Sequence, residues 1–98
     1  MASPFEISDV VLHAAPPADQ IAGLVCYASC KVGVFRLDSL QLRRGTDGGH
    51  YVRWPARRDA AGYEHSYVQV TDPMLRPGVK AAVERAVLAA AKRDGWIT

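Results

Sequence analysis

Through Val70 the apolar positions alternate in short stretches, and beyond it they settle into one helical stripe. The alternation predicts strands at about 5–14, 23–32, 34–43, 50–55 and 63–70, and the stripe predicts a helix at about 77–93. From Phe5 through Leu12 the chain is rich in β-favouring residues. It stops at Ala14-Ala15-Pro16-Pro17, where two prolines cannot donate to a ladder. Gly23–Val32 reads as the second strand, and Lys31-Val32-Gly33 is short enough for a tight turn into Val34–Arg43. Inside this third stretch the phase slips: Phe35 and Leu37 are odd, whereas Leu40 and Leu42 are even. A period of two that changes face requires a bulge or bend, and Asp38-Ser39 is its expected place.

Gly45-Thr46-Asp47-Gly48-Gly49 is a strong turn signal, because Asp-Gly reaches positive φ cheaply. His50–Trp54 follows with Val52 and Trp54 on one face and Tyr51 and Arg53 on the other. Pro55 ends it, and residues 56–62 read as a connection. Tyr63–Val70 then sets Val68 and Val70 against Tyr63, His65, Tyr67 and Gln69. Pro77 is tolerable only in the first turn of a helix, so the helix is expected to begin near it. Val79, Val83, Ala86, Val87 and Ala90 form its apolar stripe, Lys92-Arg93 suit its negative end, and Gly95 is the expected stop. The fold class that follows is α+β: a meandering antiparallel sheet of about five strands with one C-terminal helix laid across it.

The length of 98 residues allows one small domain, 1–98, and excludes a (β/α)₈ barrel or a full dinucleotide-binding fold. No apolar run approaches the roughly 18–20 residues that cross a bilayer, so no membrane partner is expected. The start, Met1 to Glu6, does not read as a secretory signal, and a cytoplasmic location is expected. Cys26 and Cys30 stand four apart on one strand, roughly 13 Å, beyond disulfide reach. They read as two buried small apolar side chains.

The formal net charge of +2 hides an uneven distribution. Residues 1–50 carry −1 and residues 51–98 carry +3. Between positions 43 and 58 lie five arginines, Arg43, Arg44, Arg53, Arg57 and Arg58, and a single acid before Asp59, Asp47. The planar guanidinium grips a phosphate or a guanine edge with two hydrogen bonds; a basic run is otherwise a solvated, solubilising face. Tyr51, Tyr63 and Tyr67 stand where bases can stack, or are ordinary strand aromatics that pair across a sheet. His13, His50 and His65 are scattered without a nucleophile, although His50 and His65 can meet if their strands are adjacent. Gly45–Gly49 lacks the Lys-Ser/Thr of a phosphate loop. No enzyme activity, cofactor, metal or small-molecule substrate is expected.

Residues 51–63, Tyr-Val-Arg-Trp-Pro-Ala-Arg-Arg-Asp-Ala-Ala-Gly-Tyr, resemble the signature of the stage V sporulation protein G (SpoVG, septation regulator) family. In that family a strand ends in Met-Pro-Ser-Arg/Lys-Arg before a Gly-containing turn and an aromatic. Ser8-Asp9-Val10 is similar to its Thr-Asp-Val, Ser39-Leu40-Gln41-Leu42 stands where it has Asp-Ile-Arg-Val, and Arg85-Ala86-Val87-Leu88 resembles its Lys-Ala-Val-Leu. Trp54 stands in place of the usual Met, Ala56 in place of Ser, and the His-Pro-Ile-Asn before the helix is absent. The resemblance implies a homodimeric, non-catalytic regulator that binds DNA or RNA. It assigns nucleic-acid contact to Arg57 and Arg58, the matched basic pair. Arg53, Arg43 and Arg44 join them on charge alone, and Tyr63 as a stacking aromatic. The alternative is a dimeric protein-interaction module whose basic loop meets an acidic partner.

Overall fold

A computed structural model describes residues 6–98, so Phe5, expected at the start of the first strand, lies outside the described residues. In chain order the elements are β1 (Ile7–Ala14), α1 (Pro17–Ile21), β2 (Leu24–Val32), β3 (Phe35–Arg44), β4 (His50–Arg53), β5 (Ala56–Arg58), β6 (Glu64–Ser66) and α2 (Arg76–Arg93). Strands β1 to β4 form an antiparallel meander in sequence order, and β5 pairs with β6 in a separate two-stranded ribbon. The fold is α+β, with α2 covering one face of the sheet.

The expected fifth strand, 63–70, does not join the sheet. Only Glu64–Ser66 is a strand, and its partner is Ala56–Arg58, a stretch expected to be a connection. Asp59 is the reason. Its Oδ1 accepts from the N–H groups of Ala61 and Tyr63 at 2.9 and 3.0 Å, and its own N–H donates to the Tyr63 carbonyl at 2.9 Å. This Asx-type turn folds the chain back on itself directly after Arg58. The local hairpin closes before the longer return to the main sheet is needed. A second difference lies after β1, where the two prolines start a short helix: Pro17 takes its first turn and the Pro16 carbonyl accepts from Asp19 and Gln20.

The expected bulge is present. Ser39 adopts φ 61° and the β2–β3 register shifts between Ala28 and Cys30, so Leu37, Leu40 and Leu42 all turn to the helix. Left-handed backbone at a non-glycine residue costs about 1–3 kcal/mol, whereas burying one leucine gains about 1.5–3 kcal/mol. With both Leu40 and Leu42 fully buried, burial wins. β1 does the same at Asp9, φ 50°, where its register shifts between Ser8 and Val11. Both bulges therefore flank the Ser29–Cys30 region of β2, one from each side.

α2 begins at Arg76 with Pro77 in its first turn, buries Val79, Val83, Val87 and Ala91 against Cys26, Ala28, Cys30 and the three leucines, and buries Ala90 as well. Ala86, expected in the stripe, is half-buried, and Ala91 takes its place. Gly95, at φ 82°, ends the helix: its N–H donates to the Lys92 carbonyl and the Trp96 N–H to that of Ala91. That is a Schellman closure, and it turns Ile97 back onto the core. Cys26 and Cys30 are free and buried, and burial pushes both thiols up. Among the described residues no helix is long and apolar enough to cross a membrane.

Candidate nucleic-acid interface

Because α2 occupies one side of the meander, the alternate side chains of each strand face outward with no layer above them. Register places His13 opposite Tyr27, Tyr27 opposite Gln41 and Gln41 opposite Arg53, one row running across all four strands. The neighbouring pair is Arg43 and Tyr51. Arg43 and Arg53 are thus diagonal neighbours on one surface, within about 7–8 Å. Arg43 is held flat by two bonds, from Nη1 to Gln41 Oε1 at 2.9 Å and from Nη2 to the Ala22 carbonyl at 3.1 Å. Neither partner carries charge, so its positive charge remains available. Tyr27 is half-buried and Tyr51 exposed, giving aromatic surface on the same face as the guanidinium groups.

The two ends of this face differ electrically. Toward the β2–β3 turn, Lys31 meets Asp9 at 3.6 Å and Arg36 meets Asp38 at 2.9 Å, with Arg36 also reaching Ser29 Oγ at 3.5 Å. That end is neutralised. At the other end Arg43 and Arg44 have no acidic partner among the described residues, and Arg53 donates to Glu64 Oε2 at 2.8 Å.

The sequence-derived candidates are therefore divided. Arg43, Arg53 and Tyr51 share the open face. Arg44 follows Arg43 directly, and strand alternation turns it the other way. Arg57 and Arg58 sit on the ribbon opposite His65 and Glu64, and alternation sends them to opposite sides of it. Neither has an acidic partner among the described residues. Tyr63, 71% exposed, lies on the ribbon turn near His65. The Arg53–Glu64 bond ties the ribbon to the sheet at the open face. Tyr27 and Gln41 were not among the sequence candidates for the site, and His13 was noted only as a scattered histidine. Their signal was available: they fall out of phase with the buried Cys26 and Leu42 and the half-buried Leu12 beside them.

The ribbon also holds His65, whose Nε2 lies 2.7 Å from Asp59 Oδ2. The contact with His65, followed by the backbone bond from Tyr63, holds the Asp59 carboxyl below its ordinary value. With Asp59 Oδ1 taking the Ala61 and Tyr63 N–H groups and Oδ2 meeting His65, the pair clamps the ribbon turn. The contingent metal pairing of His50 with His65 is overturned, because they belong to different sheets. His50 Nε2 is buried without a hydrogen-bond partner, and among the described residues no three His, Cys, Asp or Glu side chains gather as a metal site.

Beyond β4 the sheet edge is open. β4 pairs only with Gln41–Arg44, leaving the outer edge of Phe35–Leu40 without a strand among the described residues. A cleft of about 530 Å³ lies along it, bounded by Asp38, Gln41, Arg53, Trp54, Tyr67 and Val68. No family model, curated protein or solved structure matches this chain.

Proposed function

We propose that this chain is a non-catalytic nucleic-acid-binding regulatory protein that works as a homodimer and holds single-stranded DNA or RNA on its open sheet face. The observation that carries the reading is the juxtaposition of Arg43, Arg53, Tyr27 and Tyr51 on a sheet surface with no covering layer. Phosphates are attracted by the guanidinium groups and bases stack on the aromatic rings, the combination that single-strand binders use. Arg44, Arg57 and Arg58 extend the positive field without acidic partners among the described residues. The likeness of residues 51–63 to the SpoVG signature supports the same reading, with Arg57 and Arg58 as the matched basic pair.

Contact by all four arginines that lack acidic partners among the described residues would set the steepest slope of log affinity against log salt, about −3 for a single strand. Fluorescence anisotropy with labelled oligo(dT), oligo(rU) and duplex DNA over a salt series measures it. Arg57→Ala with Arg58→Ala, and Arg43→Ala separately, are expected to weaken binding and flatten the slope. Absence of any complex at low salt overturns the proposal. Light scattering tests the dimer, which has about twice the chain mass of 10.7 kDa.

One observation favours the alternative of a protein-interaction module. On the helix side of the free β3 edge, Phe35, Leu37, Trp54, Tyr67, Val68 and Val79 border an apolar cleft of about 440 Å³, and Phe35 is 75% exposed. An unpaired edge beside an apolar wall accepts an added strand. Capture from nuclease-treated lysate separates the readings: protein partners survive the treatment and nucleic-acid partners do not.

A further inference from the structure

Trp54 closes β4's run of alternating positions and stands at the junction of the sheet, the ribbon and the start of α2. On its side away from the β3 edge lies a cleft of about 220 Å³, bordered by Ser66, Val68, Gln69, Arg76 and Lys80. Lys80 Nζ sits 5.8 Å from the centroid of the Trp54 ring. Arg76, one helical turn earlier, is steadied by donation from Nε to the Val70 carbonyl at 2.9 Å, which leaves both Nη groups free to face a ligand. Neither cation forms an ion pair among the described residues. Asp72 and Glu84 stand four positions from Arg76 and Lys80 respectively, yet pair with neither; Asp72 Oδ1 instead accepts from the Met74 N–H at 2.9 Å. Glu64, the remaining acid nearby, is taken by Arg53.

We propose that Trp54, Arg76 and Lys80 form a nucleotide notch for single-stranded nucleic acid, in which Lys80 swings off the indole face, one base stacks there, and the two cations hold the adjoining phosphates. The notch rests on the function proposed above and extends its site onto the helix. Trp54 and Val68 border both this cleft and the larger one beside Gln41 and Arg53. A strand leaving the open face at Arg53 therefore meets Trp54 next and Arg76 and Lys80 after it, with cations at both ends of one aromatic platform. A flexible strand follows such a turn, whereas a stiff duplex does not. The Ser66 hydroxyl and the Gln69 amide are within the same cleft and supply donors and acceptors to a base edge or a sugar. Arginine and lysine on the first turns of a helix ordinarily serve as solvated charge. Here one lies over an aromatic ring and the other is braced by a carbonyl, and both open on the same concavity.

The test uses the full chain with Trp96→Phe, so that Trp54 is the only indole, and titrates it with oligo(dT) and oligo(rU). Trp54 emission is expected to be quenched as the complex forms, since a stacked base contacts the ring. Trp54 itself packs against the core, so the affinity arm uses the exposed pair Arg76→Gln with Lys80→Gln. Loss of two phosphate contacts reduces the magnitude of the salt slope by about 1.4, and affinity at low salt falls about tenfold or more. Oligonucleotide binding with unchanged Trp54 emission, and with wild-type slope in the double variant, overturns the notch while leaving the open-face reading intact. No binding by the unmodified chain overturns both.

Discussion

Deleting Ser39 is a direct test of how this chain builds its core and its open face at once. In a regular strand, removing one residue turns every following side chain to the other face. Here the deletion removes the extra residue of the bulge. Leu37, Leu40 and Leu42 then alternate regularly, and their pairing with Cys30, Ala28 and Cys26 is retained. The deletion also relieves a non-glycine φ of 61°, worth about 1–3 kcal/mol, against loss of the local bend that matches the bulge at Asp9. The net change is expected to lie within about 1.5 kcal/mol of zero. Deleting Gln41 instead turns Leu42, which is fully buried, outward and brings Arg43 inward. Loss of one buried leucine with the cavity it leaves costs about 3–5 kcal/mol, a large part of the roughly 5–15 kcal/mol available to a domain. Urea unfolding followed by circular dichroism measures both, with the m value checking that the folded states are comparable. If the Ser39 deletion is as damaging as the Gln41 deletion, the account of the phase slip is wrong.

Three further outcomes follow from the same geometry. Glu64→Gln removes the acid that holds Arg53 at 2.8 Å, so oligonucleotide affinity is expected to rise and the salt slope to steepen by about 0.7; an unchanged slope places Arg53 outside the contact surface. The Asp59 carboxyl titrates lower when folded, chiefly through its contact with His65. Its contribution to the ribbon is therefore complete above its unfolded value, about 3.9, and is lost as pH falls through the lower folded value. Amide exchange at Ala61 and Tyr63 is expected to quicken in acid, and Asp59→Asn is expected to abolish that dependence. Gly95→Ala meets nothing within 4 Å of the added Cβ, so the strain of φ 82° is the whole effect. That costs about 1 kcal/mol, a fall in Tm of roughly 4–8 °C by calorimetry.

The features that were legible in the sequence are those fixed by local periodicity. Leu37 followed by Leu40 can only be reconciled with one buried face by a bulge, and the backbone bends at Ser39. Gly95 after Lys92-Arg93 marks the helix end through backbone chemistry alone, and the observed closure uses those groups. The fate of residues 56–70 was hidden because two partners competed for them. Alternation at Tyr63–Val70 describes a strand without naming its neighbour, and Asp59, read only as a loop residue, decides the pairing by satisfying the turn with its own carboxylate. The site was half legible for a similar reason. Composition located the arginines but not their neutralisation: Glu64, distant in sequence, takes Arg53, while Arg43 is positioned by Gln41 and a carbonyl. The alternate row of His13, Tyr27, Gln41 and Arg53 is assembled from four strands, and only the register brings it together.

The bulge at Ser39 connects these two halves of the molecule. Arg36 and Arg43 are seven residues apart, an odd separation that a regular strand distributes to opposite faces. With one residue inserted into the alternation they share the open face, while Leu37, Leu40 and Leu42 share the buried one. The same backbone distortion thus completes the core and assembles the charged surface. It also divides that surface: before the bulge Arg36 is spent on Asp38 two residues away, and after it Arg43 has only neutral partners. On the function proposed above, a strand of nucleic acid is expected on the second half, which borders β4, Trp54 and the ribbon, and not on the first. The bulge therefore sets the location of the positive field as well as the packing beneath it.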